Sequence, residues 1–163
     1  WFRWGAALTF LTGLYLLYVL HGAWTYDIAV GATLGTLMAF NVWFIIWPNQ
    51  QIVIASATQV AGGGEPLAEA ASAAPKAGLA SRSNTLFSIP MLFFMGSSAH
   101  MPTSMLLDEV STSTASLIAV FVIILALEIN SIRGQLGPMA SVKGVIHCGL
   151  LLTAVLYGLM VLL

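Results

Sequence analysis

A single cysteine, Cys148, stands in 163 residues, so no disulfide can form within the chain. There is no CxxC and no CxxCH. Zinc ribbons, thioredoxin-type redox pairs and covalently attached c-type haem are therefore excluded within it. Charge is scarce too. Only 7% of the residues are charged, while 59% are hydrophobic; a typical soluble domain carries about 25% charged residues. Such a chain cannot cover a water-facing surface, and the bilayer is its natural solvent. There, each span must satisfy its own backbone hydrogen bonds, which points to helices. The formal net charge of −1 leaves no electrostatic footprint for a nucleic-acid partner. The chain begins at Trp1 rather than Met, as a processed or partly observed product would. Its first apolar run is too long for a cleavable signal peptide and lacks the small-residue cleavage pattern.

A helix crosses the hydrocarbon core with roughly 20 mostly apolar residues. That rule predicts an all-α transmembrane bundle forming one domain over 1–163. Five spans are expected near 4–21, 28–47, 85–101, 116–132 and 142–163. Pro48 is expected to end the second span, because it lacks an N–H. The stretch 48–83 then reads as a loop with one or two weak surface helices. The hydroxyl run Ser111 to Thr114 is expected to cap the fourth span.

The five basic residues are Arg3, Lys76, Arg82, Arg133 and Lys143. Threading five spans puts all of them on one side, opposite Asp27, Asp108 and Glu109. Lys and Arg accumulate on the cytoplasmic side. The expected topology is N-terminus inside and C-terminus outside, in a bacterial inner membrane. Trp1, Trp4, Trp43 and Trp47 then line the inner interface, and Trp24 and Tyr26 the outer one.

Ionisable groups inside a span are costly, by ~2.5–3.5 kcal/mol at mid-helix on insertion scales, and usually face the protein interior. His21 and His100 close the first and third spans at the outer face. Either they share a haem b as axial ligands, or both sit wet in the interface. Met101 and Met105 beside His100 suit packing better than a soft metal. Glu128 and His147 lie toward the inner ends of neighbouring spans, with Asn41 and Asn130 in the same half. This group is either a proton or quinone site, or a structural polar cluster that joins helices. The latter is the simpler expectation. Gly31 and Gly35 form a GxxxG that would let helices approach closely.

The run Gly35-Thr-Leu-Met-Ala-Phe-Asn41-Val-Trp43-Phe-Ile-Ile-Trp-Pro48-Asn49-Gln50 resembles a segment of the membrane-bound bacterial urate oxidase (urate hydroxylase) N-terminal domain. So does Ser81-Arg82-Ser-Asn84-Thr-Leu-Phe-Ser-Ile-Pro90-Met-Leu-Phe-Phe-Met95, followed by Gly96 to His100. The resemblance marks Asn41, Trp43, Pro48, Asn49, Arg82, Asn84 and His100 as motif positions. In that family an integral membrane domain precedes a periplasmic cytochrome c domain, and electrons from urate pass to cytochrome c. The C-terminus-out topology suits that layout, but the present chain holds no CxxCH and resembles the later part of the membrane domain. Three functions follow. The first is a non-catalytic integral membrane subunit of a larger respiratory or photosynthetic electron-transfer complex. The second is a urate-oxidase-like oxidoreductase using a separate cytochrome c. The third is a small transporter, for which neither an inverted repeat nor a polar mid-membrane path is visible. Expected partners are the lipid bilayer, other membrane subunits and a cytochrome c.

Overall fold

The computed structural model describes residues 1–20, 24–100 and 113–162, and among these it is helical with no strand. The helices are α1 (Phe2–Val19), α2 (Tyr26–Phe40), α3 (Trp47–Ala61), α4 (Ala70–His100), α5 (Thr114–Arg133) and α6 (Val142–Leu162). A π-helical segment, Asn41–Ile46, joins α2 to α3 without a break. A 3₁₀ turn, Gly137–Ala140, lies between α5 and α6.

Among the described residues, four helical runs are long and apolar enough to cross a membrane: Phe2–Val19, Tyr26–Ala61, Thr114–Arg133 and Val142–Leu162. The stretch expected as a third crossing forms the second half of α4, ending at His100; Met101 lies outside the described residues. Thr85, Ser88, Ser97, Ser98 and His100 are the polar residues of this half, and Ser83 and Asn84 precede it.

Pro48 does not end its helix. The 36-residue run Tyr26–Ala61 passes straight through it. A proline ring clashes with the carbonyl four residues back. Here the preceding turns are widened, so that the Trp47 N–H reaches back five residues to the Val42 carbonyl. The Asn49 side-chain amide then donates to the Ile45 carbonyl at 2.7 Å. At 1.5 Å per residue the run is about 54 Å long, well beyond a hydrocarbon core of about 30 Å.

The expected loop over 48–83 is accordingly a helical hairpin made of α3 and the first part of α4. Its tip is closed by polar bonds. The Ser56 hydroxyl accepts from the Leu67 N–H (3.0 Å), and Gln59 donates to the Glu65 carbonyl (2.7 Å). Gly63 takes a φ of 85° there, a conformation glycine adopts without strain. Ala73, Ala77 and Ala80 are buried along α4, and such small side chains let helix backbones approach closely.

α4 is the centre of the bundle and runs antiparallel to α2. Phe87 and Phe94 are fully buried with Val30 and Leu34 of α2, Val120 and Ile124 of α5, and Val145 and Leu156 of α6. On α5 the buried positions are Ser116, Val120, Ile124, Glu128 and Ser131, one stripe at helical spacing. Of the hydroxyl run expected to cap this helix, Ser113 does so, accepting from the Ser116 N–H at 3.1 Å. No residue of α1 is buried. Its N-terminal end is held by Arg3, whose guanidinium carbon lies 4.3 Å from the Trp47 ring centre, 5.3 Å from Trp4 and 5.8 Å from Trp43. Cation–π contacts of this kind contribute about 0.5–2 kcal/mol each.

The GxxxG pair contributes unequally. A methyl on Gly31 would meet the Met95 side chain at 3.1 Å, whereas one on Gly35 would meet nothing within 4 Å. The tighter approach is Gly149 of α6 against Ile89 of α4, where an added Cβ would lie 2.5 Å from Ile89 Cδ1 and 3.2 Å from its Cβ. Gly149→Val is therefore expected to destabilise the bundle by about 1–3 kcal/mol through overpacking. Gly35→Ala is expected to be neutral or slightly stabilising. Thermal unfolding in detergent micelles measures both.

Candidate functional site

The deepest polar group joins three elements. Asn41 begins the π-helical segment and is fully buried. Its Nδ2 donates to Asn84 Oδ1 on α4 (3.0 Å) and to Glu128 Oε2 on α5 (3.1 Å). The Ser131 hydroxyl lies 3.2 Å from the same Glu128 oxygen and 3.4 Å from Asn41 Oδ1, where its single proton is shared. Asn84 Nδ2 donates to the Met38 carbonyl at 3.0 Å, a backbone group in the last turn of α2. Glu128 Oε1 is buried and has no hydrogen-bond partner among the described residues.

A second polar contact lies at the other end of the α2–α4 pair. Asp27, in the first turn of α2, is buried, and one of its carboxylate oxygens accepts from the Ser97 hydroxyl at 2.9 Å. A carboxylate at a helix N-terminus also faces the positive end of the helix dipole. Thr25 caps the same helix, accepting from the Ile28 N–H at 3.2 Å. α2 and α4 are thus fastened at two levels, Asn41–Asn84 and Asp27–Ser97.

Not all the residues picked out by sequence come together. Asn41 and Glu128 meet. Asn130 does not join them; its amide closes the turn after α5, donating to the Gln135 carbonyl and accepting from the Gln135 N–H, both at 3.3 Å. His147 is exposed, with Nδ1 2.6 Å from the Lys143 carbonyl. His147 lies two residues from both Val145 and Gly149 of the buried stripe on α6, which turns its side chain to the opposite face, and Asn130 is half-buried beside the stripe of α5. Ser131 carries no signal of its own in the sequence, though its spacing of three from Glu128 places it on the same face. Asn84 stands out in the sequence only as a motif position. Asp27 reads as a connector charge in the sequence but is a buried helical residue.

Among the other motif positions, Trp43 packs edge-on to Trp4 at 5.8 Å and faces Arg3. Pro48 and Asn49 form the α2–α3 junction, and Arg82 is half-buried on α4. His100 is exposed in the last turn of α4, while His21 lies outside the described residues, as do Met101 and Met105. His100 on its own does not build a haem-binding donor set. Among the described residues, no group of three or more His, Cys, Asp or Glu could hold a metal ion.

Two cavities frame what the arrangement can do. One, of 460 Å³, lies on the hairpin between Pro48, Ile52, Leu67 and Glu69. The other, of 540 Å³, is a mostly apolar groove between α5 and α6, with Asn130 and Gln135 at one end. Neither is lined by Asn41, Asn84 or Glu128. The polar centre is bonded within itself, and these two cavities lie elsewhere.

Removing one member of such a centre strands its partners, and a buried unsatisfied group costs about 1–3 kcal/mol. Asn84→Ala should destabilise the protein by about 1–2 kcal/mol, within the range measured for hydrogen bonds between membrane helices. Glu128→Gln, which keeps the acceptor for Asn41 and Ser131, should change stability by less than about 0.5 kcal/mol. Unfolding by sodium dodecyl sulfate in mixed micelles checks both.

A family model described as urate oxidase N-terminal matches residues 22–133. Searches of curated proteins and of solved structures find no match.

Proposed function

The chain belongs to the urate oxidase N-terminal family, and on that premise we propose that it acts as a non-catalytic integral membrane subunit of a larger electron-transfer complex, respiratory or photosynthetic. One observation carries this reading. An enzyme must present donors and acceptors to a space that substrate can enter. Here Asn41 and Asn84, both family-motif positions, are bonded to each other, to Glu128 and to the Met38 carbonyl. The same residues that carry the family resemblance hold helices together.

The membrane arrangement belongs to the proposal. The second half of α4 makes a fifth crossing alongside α2, with the N-terminus cytoplasmic and the C-terminus periplasmic. Its pairing with α2 from Asn41–Asn84 to Asp27–Ser97 supports this. So does the distribution of charge. Arg3 packs at the α2–α3 junction, Lys76 and Arg82 precede Asn84 on α4, and Arg133 and Lys143 flank the α5–α6 turn. Asp27 sits at the opposite end of α2. On the cytoplasmic side, the α3–α4 hairpin projects beyond the bilayer and offers a partner a rigid docking element.

A second reading, a urate-oxidase-like oxidoreductase passing electrons to a separate cytochrome c, is favoured by one feature. Glu128 Oε1 is a buried carboxylate oxygen with no hydrogen-bond partner among the described residues. The test separates the two. Gently solubilised protein should co-purify with one electron-transfer complex, and the isolated chain should not reduce cytochrome c when urate is added. Urate-dependent reduction by the isolated chain, abolished by Glu128→Gln, would establish the second reading instead.

A further inference from the structure

From the groove between α5 and α6 we infer that the protein holds an anionic phospholipid, with one acyl chain between the helices and the phosphate at the α5–α6 turn. The groove is walled by Ile123 and Leu127 of α5 and by Leu151 and Val155 of α6. All four are apolar, and both helices are long and apolar enough to span a membrane. The occupant of such a slot is apolar along most of its length. Only one end of the groove is polar, where Asn130 and Gln135 fix the turn through their two mutual hydrogen bonds. A ligand that fits is therefore amphipathic, with its head at that turn.

Charge at the turn selects the head. Arg133 is the last residue of α5 and Lys143 lies in the first turn of α6, and both are exposed. The acid on the neighbouring turn, Glu128, does not neutralise them, because it is directed inward onto Asn41 and Ser131. The N-terminus of the 21-residue α6 adds the positive end of a helix dipole at the same level. Two cations and a helix N-terminus flanking the turn that closes the polar end of the slot match a phosphate-bearing head with net negative charge, and basic groups at membrane-facing pockets bind such heads. A zwitterionic phospholipid carries a choline or ethanolamine cation that would face Arg133 and Lys143. The site is separate from the Asn41 centre, so this inference does not rest on the subunit reading.

Cys148 lines the same groove and is the chain's one cysteine, which makes it a reporter of occupancy. The experiment uses the full-length chain, delipidated in a neutral detergent, with phosphatidylglycerol or phosphatidylcholine added. Native mass spectrometry counts bound lipid, and the rate of Cys148 alkylation by N-ethylmaleimide reports filling of the groove. Phosphatidylglycerol is expected to bind at one per chain and to slow alkylation at least fivefold, with phosphatidylcholine having little effect. Arg133→Gln with Lys143→Gln should weaken phosphatidylglycerol binding about tenfold or more. Lys76→Gln, on the α3–α4 hairpin away from the groove, should leave it unchanged. Val155→Trp, which fills the slot from a lipid-exposed position, should abolish protection without touching the charges. The inference is overturned if the two phospholipids protect equally, if the Arg133/Lys143 pair has no effect, if soluble glycerol phosphate binds as well as the lipid, or if an isoprenoid quinone protects Cys148 and phosphatidylglycerol does not.

Discussion

The structure turns on the side chain of Asn41. In a membrane the hydrophobic effect does not draw helices together, because lipid is as apolar as leucine; packing and interhelical hydrogen bonds must do so. One buried amide here bonds to α4 through Asn84 and to α5 through Glu128, and it accepts from Ser131. Asn84 in turn closes back on the Met38 carbonyl. The register between α2 and α4 follows from this contact, and the Asp27–Ser97 bond fixes the same register at the other end. α6 has no part in the centre. It is held by close approach, with Gly149 against Ile89 and the Tyr157 ring edge-on to Phe93 at 5.3 Å.

Asn41 also opens the π-helical segment. Segments of this kind are rare and often occur at functional sites. Its widened turns let a helix run through Pro48 and continue into the α3–α4 hairpin. Arg3, among three tryptophans, ties α1 to the same junction. The polar centre, the passage through proline and the anchoring of α1 are therefore neighbouring parts of one stretch, 41–49.

Much of this was legible in the residues. Apolar run lengths point to the membrane-length helices, and depth groups Glu128 with Asn41, Asn130 and His147, of which the structure joins only Asn41 to Glu128. The buried spacing on α6 is also readable, and it turns His147 outward. Other features were hidden for physical reasons. Pro48 normally stops a helix, and nothing local announces a π segment that admits it. Small and polar residues over 48–83 suit a loop as well as a tight alanine-lined hairpin. Gly149 stands alone in α6, without the GxxxG spacing that drew notice to Gly31 and Gly35, yet it makes the closer contact.

The family-motif amides hold helices together. A double-mutant cycle between Asn41 and Glu128, using Asn41→Ala, Glu128→Ala and the pair, tests it most directly when read by reversible unfolding in mixed micelles. Coupling of about 0.5–2 kcal/mol is predicted, as for groups in one hydrogen-bonded network. Additive effects with no coupling, from a protein that remains as stable as the parent, would contradict the claim and return both residues to the list of candidates for chemistry.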